Sequence, residues 1–308
     1  MLEQQRHIDL HLPTGWNQAT TEELEHIAAA IIYAQQRQDR YHPFDWAQVK
    51  LMAVLAINGL EIVSQPVPVI KDYSHDDTYL LRSDKEEPFP ITTGQLHALC
   101  ERLDWLTEEK PRFPLFAFPY PEATVPGGSP SGNITLVGPP PILDGYTWQE
   151  YRWLTDWMQA YMQQTNAHRD ATDARNEFLA VLFKRKVETS EYRNTDTSKE
   201  PPLEASAFAS FDAVKWQVIL FWWSALMLQL ERKFPKVFKQ QPVGKQRRQQ
   251  KDTPWDFYNR VIATIQKYVG GLSEKDVNTA SYGTILQQLD MMAREAEEME
   301  RLNKKYKK

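Results

Sequence analysis

Close to its start the chain reads "HIDLHLPTGW", which sets His7, Asp9 and His11 at alternate positions. On an extended strand all three project from one face, and two imidazoles with a carboxylate can hold a transition metal. A working metal centre also needs further ligands and groups that orient the imidazoles. "SHDD" at Ser74 to Asp77 reads as a polar loop, and His97 and His168 stand alone. Ile8, Leu10 and Leu12 alternate with the polar three, so we read the stretch as the half-solvated side of an edge strand, with no metal. Other candidate chemistries fall by the same scrutiny. "GGSPSG", Gly127 to Gly132, lacks the lysine and the following helix of a phosphate cradle, and "NITLV" after it is strand-like. No Gly-x-Ser-x-Gly elbow is present. Cys100 is the one cysteine; it lies on the apolar stripe of "GQLHALCERLDWL" and reads as a small buried hydrophobe. The basic run Lys245 to Lys251, "KQRRQQK", holds no aromatic for stacking on bases and reads as a solvated loop. Neither catalytic residues nor cofactor ligands are expected.

The elements that would position any site are mostly helical. The chain has 308 residues with 42% apolar and 25% charged, the balance of an ordinary globular protein. Twelve glycines are few for a β-rich protein. A net charge of −5 gives no global attraction to nucleic acid, and one cysteine excludes an intrachain disulfide. Residues 1–20 hold no continuous apolar core, so no secretion signal is expected and a cytoplasmic location fits. The most apolar stretch, Val218 to Leu230, is short of the roughly 20 residues of a membrane span. It ends at Glu231-Arg232-Lys233 and reads as a buried helix.

Along the chain, Thr20 and Glu23 form a capping box ahead of a helix whose stripe is Leu24, Ile27, Ala28, Ile31 and Ile32. A second helix starts near Asp45 and stops at Gly59. "LEIV" and "TYLLR" are strand candidates, and a third helix is expected from about Thr93 to Leu106. Residues 111–145 are rich in proline and read as an extended linker. Thr147 and Glu150 open a helix carrying Tyr151, Leu154, Met158 and Tyr161. The next helix, near 172–186, ends on Lys184-Arg185-Lys186, charges that suit a helix C-terminus. A buried helix spans about Phe211 to Phe234, Thr253-Pro254 starts another that Gly270-Gly271 ends, and a last one runs from about Thr279. The expected fold is mainly α (α+β): an N-terminal α+β domain at 1–110, the linker at 111–145, and a C-terminal helical domain at 146–308.

That last helix is the most informative element. Ile285, Leu289, Met292, Ala296, Met299, Leu302 and Tyr306 make one apolar stripe, while the other face is dense in Arg, Glu and Lys. Its first half is expected to pack on the protein and its far end to project. Met and Ala make a shallow, adaptable surface for a partner helix, with Leu289, Met292, Ala296, Met299 and Leu302 as the contact residues.

Four stretches, "LHLPTGWNQATTEEL", "YTWQEYRWLTDWMQAYM", "ILFWWSALMLQLERKFPKVF" and "YGTILQQLDMMAREAEEMERLNKK", resemble proteins of the tail-morphogenesis region of tailed phages and prophages. The resemblance touches about a third of the chain and lies in packing patterns. It implies a tail assembly chaperone that shields apolar segments of the tape-measure protein until tail-tube subunits polymerise around it. A structural virion component of tail, connector or baseplate is the second reading. An enzyme or nucleic-acid-binding protein of a mobile element is the third.

Overall fold

A computed structural model describes residues 10–38, 43–67, 78–83, 87–108, 115, 117–126, 133–186, 203–238, 261–267, 270 and 272–306. The fold is mainly helical with two small antiparallel sheets, as expected. It divides into two compact units. One holds Met1–Pro119 with Asp212–Trp223, the other Tyr120–Phe211 with Ser224–Lys308.

The first unit begins with α1 (Thr21–Gln36) and α2 (Trp46–Ile57). The capping box forms as read: Glu23 N–H donates to Thr20 Oγ1 (3.2 Å) and Thr20 N–H donates to the Glu23 carboxylate (2.7 Å). Asp45 caps α2 by accepting from Ala47 N–H at 2.9 Å. Gly59, at φ +59, makes the left-handed step that turns the chain from α2 into a strand. Strands β1 (Leu60–Val67), β2 (Thr78–Ser83) and β3 (Phe89–Thr92) follow in the order β1-β2-β3. Leu60, Leu81, Ile91 and Leu96 bury together beneath this sheet, the last from α3 (Thr93–Glu101). A larger core gathers Leu12, Ile27, Ile31, Val49, Val54, Leu103 and Trp105.

Three sequence readings change here. Residues 10–13 form no strand: His11 N–H donates to Asn58 Oδ1 (2.9 Å), so a side chain takes the place of a neighbouring strand. Ile8, with His7 and Asp9, lies outside the described residues. Phe89–Thr92 is an edge strand, with Pro90 opposite Leu80, and an edge is where a sheet tolerates proline. The third helix stops at Glu101 and gives way to a 3-10 turn at Asp104–Thr107. A continuous α-helix would set Leu103 and Trp105 on opposite sides, whereas the turn buries both. Trp105 Nε1 there donates to the Pro13 carbonyl at 3.0 Å.

The proline-rich residues 111–145, which enter the second unit at Tyr120, are more than a linker. There β4 (Glu122–Pro126) and β5 (Asn133–Val137) pair as a hairpin, and the division between units falls after Pro119. Among the described residues, Pro121 and Pro139 to Pro141 stand outside the paired stretch and Pro126 at its end, where proline is tolerated. Helix α4 (Trp148–Asn166) opens with its capping box, and α5 (Thr172–Leu182) packs on it. The α5 helix ends at Leu182, short of the basic triplet. Phe183 turns extended and fully buried beside Phe208, and β6 (Lys184–Arg185) pairs with β5. The lysines therefore serve ion pairs: Lys184 with the buried Glu150, Lys186 with Glu122 at 2.6 Å.

Helix α6 (Ala213–Lys233) groups with the first unit through Trp223 and with the second beyond it. Asp212 caps it by accepting from Val214 N–H (2.8 Å) and Lys215 N–H (3.1 Å). It has the length and apolarity of a membrane span. Trp216, Val218, Ile219, Trp222, Leu226 and Leu230 are nonetheless buried, which is the mark of a core helix. Residues 261–267 form α7, and Gly270 N–H closes on the Gln266 carbonyl. The expected start at Thr253-Pro254 lies outside the described residues. A short helix absent from the sequence reading, α8 (Glu274–Thr279), comes next, and after an extended Ala280 the expected last helix follows as α9 (Tyr282–Tyr306).

Candidate functional site

Helix α9 carries the candidate site, and its two halves live in different surroundings. The break before it has a cause. Trp148 N–H donates to the Ala280 carbonyl (2.8 Å) and Tyr282 N–H to the Tyr146 carbonyl (3.1 Å), a short bridge that ties the starts of α4 and α9 together. Tyr282, Ile285, Leu286 and Asp290 are buried on the first half. Tyr282 stacks on Tyr151 with ring centroids 4.9 Å apart, and its hydroxyl donates to the Ile142 carbonyl. Burial, with the nearby Asp144 carboxylate second, holds that phenol well above its ordinary range, so it remains a donor. Its acceptor lies in a tight turn where Ile142 and Leu143 both have positive φ (56° and 51°), an uncommon conformation for branched side chains.

Asp290 ends the packed half. Its carboxylate accepts from Lys236 N–H (2.8 Å) in the turn after α6 and from Arg294 Nε (2.7 Å) one turn along α9. Lys236 pairs in addition with Glu297 through its ammonium. These bonds fasten the middle of α9 to the end of α6 within the second unit.

Beyond Asp290 most of the large apolar side chains face solvent, Met292 excepted. Met291 is 53% exposed, Met299 58%, Leu302 41% and Tyr306 84%. Among the predicted contact residues, Leu289 and Met292 are half-buried, while Ala296, Met299 and Leu302 are exposed. The stripe is therefore continuous in sequence and divided in environment.

Sequence reasoning did not single out Met291, Glu295 and Glu298. With Leu302 they follow spacings of four, three and four residues, the repeat of a helix–helix seam. The signal was present, but two glutamates on a heavily charged helix read as ordinary solvated residues.

The other candidates resolve more simply. His11 Nε2 lies 3.0 Å from the Glu23 carboxylate, so its described partner is a helix-capping residue. Among the described residues no group of three or more His, Cys, Asp or Glu side chains is placed to hold a metal. His97 pairs with Glu101 on its own helix at 3.4 Å, and His168 sits in the turn after α4. Cys100 is half-buried against the first unit's core, and burial raises its thiol pKa, which makes the thiolate scarcer. Ser74 to Asp77, Gly127 to Gly132 and Lys245 to Lys251 lie outside the described residues. No protein-family model, curated protein or solved structure matches this chain.

Proposed function

We propose that this protein is a non-enzymatic assembly factor of tailed-phage tail morphogenesis, acting in the bacterial host cytoplasm by covering an apolar helical segment of a partner such as the tape-measure protein. One observation carries the reading: α9 is anchored at Asp290 and then presents Met291, Met299, Leu302 and Tyr306 to solvent. An exposed apolar stripe on an anchored helix suits helix-on-helix docking. Methionine suits such a surface because its flexible thioether adapts to unlike partners. The phage context comes from the sequence resemblance, and the helical, aromatic-rich fold is compatible with it.

The test is affinity capture with mass spectrometry from infected or induced cells, using the full chain and a form ending at Asp290. The tape-measure or tail-tube protein should be enriched with the full chain and lost with the shortened one. Equal recovery of these proteins with both baits, or with neither, would contradict the reading.

A further inference from the structure

Past Asp290 the charges of α9 are sorted along the helix axis. Arg294 is committed to Asp290. Every acid then precedes every base: Glu295, Glu297, Glu298 and Glu300 come first, and Arg301, Lys304 and Lys305 follow. Three of these are already paired, Glu297 with Lys236 and Glu300 with Lys304 at 2.5 Å. Two acids and two bases remain. Glu295, Glu298, Arg301 and Lys305 are all exposed and make no ion pair among the described residues.

The seam on this half of the helix has the same midpoint as the charges. Glu295, Met299, Leu302 and Tyr306 follow spacings of four, three and four, and the centre of that set falls between Glu300 and Arg301, where the sign changes. A second copy laid antiparallel about a two-fold axis at that step therefore meets its own complement. Met299 comes level with Leu302 of the second copy, and Leu302 with its Met299. Each Glu295 carboxylate comes level with a Tyr306 hydroxyl, which can donate to it. Glu298 lies within about 3 Å, along the axis, of Arg301 and Lys305 of the second copy. All four unpaired charges thus find opposite ones. A parallel copy does the reverse and sets each of the four beside its own like. A uniformly basic or uniformly acidic helix satisfies one half of the face and is repelled by the other.

We infer that a second copy of this chain, antiparallel about the Glu300–Arg301 step, covers the far half of α9 when no other helix does. The inference goes beyond the docking role proposed above and does not depend on it, since it needs only the exposed face and its charge order. Self-pairing and capture of a foreign helix use the same side chains and exclude one another. About four turns of helix per copy is a contact at the low end of interface sizes. The dimer is therefore weak, open at low micromolar concentration and formed near about 100 µM.

Sedimentation equilibrium of the full-length protein, from about 1 to 500 µM, reads the pairing directly. The native chain should pass from monomer to dimer across that range, and Met299→Ser/Leu302→Ser should remain monomeric. Glu295→Lys/Glu298→Lys and Arg301→Glu/Lys305→Glu should each weaken self-association about tenfold or more. An equimolar mixture of these two variants should pair at least as tightly as the native chain, which also shows that both are folded. A native chain that is monomeric throughout would overturn the inference and leave the face to a foreign helix. A dimer that survives Met299→Ser/Leu302→Ser would overturn it by placing the contact elsewhere. A dimer lost in the serine variant but indifferent to both charge reversals would overturn the antiparallel register, because in a parallel pair like faces like before and after. The docking role stands or falls separately, by the capture experiment above.

Discussion

Replacing Trp222 with alanine should lower the stability of the first unit by about 3–5 kcal/mol, read as a shift of the urea midpoint monitored by helical circular dichroism. The indole is 1% exposed, and its ring meets Phe118 edge-on at 4.9 Å and 80°. Phe118 is itself buried, so truncating the indole opens a cavity inside packed side chains. Trp46, 37% exposed at the start of α2, provides the contrast, and its alanine variant should cost under about 1 kcal/mol. The comparison also decides the nature of α6. If Trp222→Ala were as mild as Trp46→Ala, the apolar helix would be facing lipid or a partner instead of a packed core.

Asp290→Ala should cost the second unit about 2–3 kcal/mol, because it deprives a backbone N–H of a charge-assisted acceptor in a largely buried site. The carboxylate is 5% exposed and serves Lys236 N–H and Arg294 together. Arg294 projects into solvent, so Arg294→Ala should cost under about 1 kcal/mol. Asparagine keeps one carbonyl for the Lys236 N–H and should recover part of the loss. An Asp290→Ala effect no larger than that of Arg294→Ala would show that the ion pair, not the backbone bond, holds α9 in place. The anchor also has a functional side. On the docking role proposed for α9, its projecting half loses its fixed direction without this anchor, and capture of the proposed partner should weaken even though no contact residue has changed.

The features visible in the sequence were those written within a few residues. The capping boxes at Thr20 and Thr147 formed because donor and acceptor lie three residues apart and need no tertiary partner. The same locality made the apolar stripes of α1 and α4 readable. What escaped depends on distant groups. Lys184 and Arg185 look like the basic end of a helix until β5 offers Val137 and Leu136 as strand partners and α4 offers Glu150 as counter-ion for Lys184. The stop at Glu101 follows from a tryptophan whose indole seeks a carbonyl 92 positions away. The N-terminal alternation suggested a strand, but Asn58 claimed the His11 N–H. The site was half legible for a similar reason. Helical spacing placed Met299 and Leu302 on one face, yet only the packing of Asp290 on the Lys236 turn shows where burial ends and exposure begins.

Hydrogen exchange on the full-length protein, alone and saturated with a tape-measure segment as the proposed partner, probes the far end of α9 most directly. Amides of residues 291–306 should exchange quickly in the free protein, since few side chains there are packed, and slow markedly in the complex. Amides of α1 and α2 should exchange at the same rate in both states. Protection that rises elsewhere while residues 291–306 remain unchanged would show that the partner binds another surface, and the role assigned to α9 would be wrong.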